Sequence, residues 1–310
     1  MRRAVRHLPA LAAFLLLAAC GSEQAGTLGA GVATPAARIS ATEPPVDGVR
    51  ITQLTVPSGT PNPGSGPGGS PGRVDPFPAH DSGISASYEV TNDNAEALTY
   101  TILFDFTTDA GEVMANTYET VRAVGPGAIV RGTVRLGVLA PGASPVTRVK
   151  VAEVTSVPAA EAPPAPGECP SSGIRLTAGD VDAAMGLRAV SLDLENCGTR
   201  DYPLEGYPLL ELLDDDRSRV DGVQIVHGSG GIATVPGFDE PAGPLVLKPG
   251  ESARSALMWR NTTELGPAPV NIPYVRVRAQ QGADPVIVTL HLDLGTTGRL
   301  AAQPWAHPPT

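Results

Sequence analysis

From residue 84 onward the chain alternates apolar and polar residues in short runs. Ile84, Ala86, Tyr88 and Val90 fall on one side of an extended backbone, with Ser85, Ser87, Glu89 and Thr91 on the other. After Asn92-Asp93-Asn94 the pattern returns in Leu98, Tyr100, Ile102, Phe104 and Phe106. Residues 113–124, 129–136 and 146–154 are further extended stretches, separated by Gly125-Pro126-Gly127 and Pro141-Gly142. Successive side chains of a strand point to opposite faces, so a period of two marks strands with one buried face. The second half repeats the theme at 174–176, 190–194, 209–213, 245–247, 252–259, 274–277 and 286–292. In the last of these, Val286, Val288, Leu290 and Leu292 share one side, and Ile287, Thr289, His291 and Asp293 the other. No segment carries a 3.6-residue period. Short alternating strands with Gly/Pro turns predict an all-β chain with two antiparallel β-sandwich domains, one over 81–156 and one over 169–296.

The remaining stretches read as connectors. Residues 1–19 combine Arg2, Arg3 and Arg6, a short apolar core from Leu8 to Leu17, and Ala18-Ala19 before Cys20. This is the grammar of a secretory signal, and its apolar run is too short to span a bilayer. Leu17-Ala18-Ala19-Cys20 resembles a lipobox, which implies cleavage before Cys20 and acylation of its sulfur. Two or more acyl chains give stable anchoring, so the chain is expected on the extracytoplasmic face of a cell membrane, lipid-anchored through Cys20. Residues 20–80 read as a flexible Gly/Pro-rich tether with a first strand possible at 49–56. About 60 flexible residues would span roughly 40 Å end to end. Residues 157–168 read as an extended Pro-rich linker, and 297–310 as a tail.

Charge narrows the partners. The formal net charge of −10 becomes −13 once the three arginines of residues 1–19 are removed. An acidic chain is disfavoured for nucleic acid and for anionic lipid surfaces, so no nucleic acid is expected, and membrane contact falls to the lipid alone. With Cys20 acylated, Cys169 and Cys197 are the remaining pair among three cysteines. They form either a disulfide, which an exported compartment permits, or two separate buried thiols. A bridge would close a loop of about 29 residues and contribute about 3.5 kcal/mol in the chain-entropy view.

Two resemblances add to this reading. A strand ending in Phe104-Asp105-Phe106, then Asp109-Ala110-Gly111 and a later Gly125-Pro126-Gly127 turn, resembles the FxLYD-like immunoglobulin-like modules over residues 82–155. Cys169, the stretch from Glu195-Asn196-Cys197-Gly198 through Leu204-Glu205-Gly206-Tyr207-Pro208, and Leu247-Lys248-Pro249-Gly250 before a strand resemble a domain of secreted actinobacterial lipoproteins, family 4232 of domains of unknown function, over 169–295. That resemblance implies an antiparallel sandwich bridged from Cys169 to Cys197, and no catalytic residues.

Candidate chemistry is sparse. His7, His80, His227, His291 and His307 form no i, i+4 pair, so neither a metal nor a cofactor is expected. His227-Gly228-Ser229-Gly230-Gly231 lacks the first glycine of a nucleophile elbow and precedes no helix. Asp214-Asp215-Asp216 with Asp221 lacks the ligand alternation of a calcium loop. Loops on rigid sandwiches carry recognition, so the irregular segment 227–243 is read with Tyr202, Tyr207, His227, Phe238 and Trp259 as a candidate binding surface at one end of the second domain. The expected function is a non-enzymatic, lipid-anchored binding module for an envelope protein or glycan, with an envelope spacer or a hydrolase as alternatives.

Overall fold

The alternation at Ser85–Thr91 becomes a strand with Ala86, Tyr88 and Val90 buried and the intervening residues half-buried. In this computed structural model, residues 36–41, 43–57, 81–139, 142–263, 265 and 268–308 are described. All regular structure among them is strand, with no helix. The signal segment, Cys20 and the Gly/Pro run at 58–80 lie outside the described residues.

The first domain contains β1 (Ala36–Ser40), β2 (Val49–Pro57), β3 (Ser85–Thr91), β4 (Leu98–Thr107), β5 (Val113–Val124), β6 (Ile129–Arg135) and β7 (Arg148–Pro158). One sheet runs β1-β2-β3-β6 and the other β5-β4-β7, with all neighbouring strands antiparallel. Their inner faces meet in a core that includes Val49, Leu54, Tyr88, Ile102, Phe104 and Val134. Tyr88 and Phe104 stand with ring centroids 4.9 Å apart. The Tyr88 ring lies across Gly132 of β6, where an added Cβ would fall 2.3 Å from it. Burial, helped by the charge of Glu119, pushes the Tyr88 phenol up to about 12.

The possible first strand at 49–56 is present as β2, and residues 36–40, read as part of the tether, form a further strand, β1. β2 is paired along its length with β3, and β1 with β2. The reason the strand reads weakly is a register shift between Ile51 and Gln53. Such a bulge offsets the alternation by one residue, so Val49 and Ile51 point inward on one phase and Leu54 on the other.

The second domain contains β8 (Ile174–Ala178), β9 (Asp182–Ala184), β10 (Leu187–Asn196), β11 (Tyr202–Glu205), β12 (Leu209–Leu213), β13 (Gln224–His227), β14 (Pro244–Leu247), β15 (Ser252–Arg260), β16 (Asn271–Arg278), β17 (Val286–Asp293) and β18 (Arg299–Ala302). The larger sheet runs β13-β18-β15-β10-β8, with β9 also on β10. The opposing layer comprises β12-β16-β17 and the pair β11-β14. Residues 297–310, read as a tail, instead supply an interior strand. β18 lies parallel to β13 and antiparallel to β15. Leu300, Ala301 and Ala302 are fully buried, and Trp305 is buried with its indole N–H donated to the Ala279 carbonyl at 2.9 Å. Four residues, two of them alanine, are too short a run for alternation to register.

Each domain carries the same buried asparagine. In the first, the Asn92 side-chain amide donates to the carbonyls of Glu96 and Val124 at 2.8 and 2.7 Å, and its Oδ1 accepts the Asn94 amide. In the second, Asn196 donates to Arg200 and Leu247, both at 2.7 Å, and accepts from Gly198. The backbones match too. Gly127 donates to Asn92 and Asn92 to Ala128, just as Gly250 donates to Asn196 and Asn196 to Glu251. A strand end, its following turn and a Pro-Gly turn are thereby joined through one carboxamide. Truncating it would strand buried carbonyls, each a loss of about 1–3 kcal/mol. Asn92→Ala and Asn196→Ala are each expected to lower stability by about 3 kcal/mol, read as a shift in the urea midpoint. A change under 1 kcal/mol for both would contradict this role.

Candidate functional site

The residues read as one binding surface separate in the structure. Phe238 and Trp259 are 2% and 1% exposed, so neither is surface. Phe238 packs on Met258 and Ala301, on the outer side of the larger sheet, with Val226, Ile232 and Val235 around it. The 227–243 segment is thus laid onto the sheet by its own small core. It is also clipped by backbone bonds from Ser229 to Asp239 Oδ1 at 2.8 Å and from Gly228 to the Ala302 carbonyl. Trp259 lies in the main core, and its indole N–H donates to Asp293 at 2.8 Å. Asn261 and Arg188 meet the same carboxylate. Tyr202 packs half-buried on that core, where burial raises its phenol pKa and the Gln280 side chain opposes part of the shift. Tyr207 and His227 do come together, as rings stacked 3.9 Å apart at 3°.

Other candidates have local roles. Asp214 accepts the Ser218 amide within its turn, and Asp221 pairs with Arg219. Among the described residues, no three His, Cys, Asp or Glu side chains converge on a point that could hold a metal.

What the sequence does not announce is a contact between the domains. Val157 at the end of β7, Leu213, Tyr274 and Ile287 form a buried apolar cluster, with Ala162 against it. Ile287 had read as an outward residue of the last strand; it does face away from its own core, and the linker covers it. The linker turns where an extended run was expected: Glu161 donates to the Pro158 carbonyl, and Ile287 donates to the Glu161 carbonyl at 2.7 Å. Arg276 sits between Glu161 and Glu211, at 2.6 and 2.7 Å. Burial alone would lower the Arg276 pKa, but the hydrogen bonds to Glu211 and Glu161 outweigh it and the net shift is upward. Arg217 reaches the Ser156 carbonyl and Glu96, and His291 Nε2 lies 3.1 Å from Glu153.

Beside this contact lies a groove of about 290 Å³, walled by both domains and the linker. Thr120, Thr101 and Thr155 stand directly opposite one another across β5, β4 and β7 and form a row of hydroxyls on its floor. Thr177 of β8 and Thr289 of β17 line the other wall. Arg122 lies at the groove with one guanidinium nitrogen donating to the Pro163 carbonyl at 2.6 Å. The row was legible only as outward positions of alternating strands; its convergence with β8 and β17 depends on docking.

Cys169 and Cys197 are joined in a disulfide with Cα atoms 5.7 Å apart, tying the start of the second domain to the turn that follows Asn196. Residues 169–306 match the family model described as Domain of unknown function (DUF4232). The match begins at the first bridged cysteine and ends just past Trp305. No curated protein matches the chain.

Two outcomes follow. Cys197→Ser is expected to lower the stability of the second domain by about 3.5 kcal/mol in a denaturant titration, and dithiothreitol should do the same to the wild type and nothing to the variant. Arg276→Leu removes the partner of two carboxylates, and is expected to speed hydrogen exchange at the Ile287 amide at least tenfold while leaving exchange within β3 and β4 unchanged.

Proposed function

We propose that this chain is a lipid-anchored protein of the extracytoplasmic membrane face, whose two β-sandwich domains serve as a non-catalytic binding module. The observation that carries the reading is Leu17-Ala18-Ala19-Cys20 after a basic and then apolar start. The bridge between Cys169 and Cys197 supports it, because it takes up the other two of the three cysteines and belongs to an oxidising compartment. The family match over 169–306 and the strand plan of the first domain are compatible with a secreted lipoprotein whose proximal module is FxLYD-like. Binding is favoured over catalysis by the site chemistry. The His227 ring stacks on Tyr207, Asp239 receives the Ser229 amide, and the groove between the domains offers hydroxyls and one guanidinium.

A spacer role is the second reading, favoured by the docked linker, which gives the two domains a fixed relation. Cells expressing the wild type and grown with radiolabelled palmitate should yield a labelled band that partitions with membranes. Cys20→Ala should be unlabelled and released. Equal labelling of the two would overturn the anchor.

A further inference from the structure

We propose that the groove between the domains binds a saccharide bearing a carboxylate. Its hydroxyls would lie on the threonine row, and its carboxylate on Arg122. The inference rests on the reading of the chain as a binding module and names the ligand class.

Six threonines line the groove; Thr99 accepts the Ala123 amide on its Oγ1, and the other five, Thr101, Thr120, Thr155, Thr177 and Thr289, come from five strands. No side-chain hydrogen bond joins any of their hydroxyls to another described residue. Each hydroxyl offers one donor and two acceptor positions, the complement of a sugar hydroxyl, which needs both. No aromatic ring lines the groove, so it lacks the stacking platform a nucleobase uses. The volume lies at the lower end of small-molecule pockets, about 300–1,000 Å³, and suits a short saccharide.

Charge selects further. The chain has 32 Asp and Glu against 22 Lys and Arg, yet no carboxylate lines this groove. The acids of the adjacent contact, Glu161 and Glu153, are occupied by Arg276 and His291. Arg122 spends one N–H on Pro163, and a guanidinium has five, set in a fork that matches a carboxylate. An acidic molecule that presents a guanidinium in an acid-free, hydroxyl-lined groove is arranged for an anionic, hydroxyl-rich ligand. Sheet strands hold the threonines and docking closes the second wall, so the site is preformed.

The test titrates the full chain in detergent micelles, followed by amide chemical shifts of β4 and β5. Three probes are used: the disaccharide of N-acetylglucosamine and N-acetylmuramic acid, a disaccharide containing glucuronic acid, and neutral chitobiose. One or both acidic sugars should bind at least tenfold tighter than chitobiose, and which of them binds identifies a wall-type or a uronic-acid source. Arg122→Gln should abolish that preference. The double variant Thr101→Val, Thr120→Val keeps shape and β propensity, and should lose binding with its urea midpoint unchanged. Equal affinity for chitobiose, no shifts with either acidic sugar, or full binding by the double variant would each overturn the proposal. The titration does not involve Cys20, so its failure leaves the anchor standing, and failed palmitate labelling leaves the groove standing.

Discussion

Two buried carboxamides hold this protein's geometry. A sandwich must turn its chain over at the ends of its sheets, and the backbone groups exposed there lose water without gaining a ladder partner. Asn92 and Asn196 supply the missing donors and acceptors, each joining a strand end to its own turn and to a Pro-Gly turn far along the chain. The repetition extends beyond the residue. In both domains the strand that runs into the Asn pairs with the strand that leaves the Pro-Gly turn, β3 with β6 and β10 with β15. In both, the next part of the chain forms the opposing layer, β4 with β7 and β12 with β16. The second domain shares these pairings and differs around them: β5 flanks β4 in the first, whereas β12 stands at the edge of its sheet and β17, β18 and β13 extend the layers of the second.

Much of this plan was open to reading from the order of residues, because period-two alternation is local. β3, β4, β10 and β15 announce themselves, and so does the cysteine pair. What was hidden depended on distance or on irregularity. The two asparagines look like ordinary turn residues, since the carbonyls they bind lie 32 and 51 positions away. β2 is disguised by its bulge, and β18 by its small residues. Phe238 and Trp259 were read as binding surface, but the loop that carries Phe238 has its own apolar residues and is drawn onto the sheet, while Trp259 of β15 faces the main core. The threonine row could be seen as outward-facing residues; that two domains would close around it could not.

The domain contact shows how a proline-rich segment can position domains without being straight. Residues 158–168 make turns, and place Glu161 where it answers both an amide and a guanidinium of the second domain. The apolar cluster beneath is small, so the charges matter more for relative orientation than for cohesion. Half-buried pairs of this kind contribute modestly to stability. Each one nevertheless excludes orientations in which a carboxylate would lose its partner.

The place of β18 in its sheet has a consequence for biogenesis. The larger sheet of the second domain has at its interior a strand from residues 299–302, between β13 and β15. A chain emerging from its amino end can complete the first domain early, and can bring Cys169 to Cys197 early. It cannot close the second core until the residues around Trp305 arrive to cover it. Until then β15 presents an unpaired edge, so the arrival of residues 299–305 sets when the second domain stops being vulnerable to proteases and to pairing with other chains.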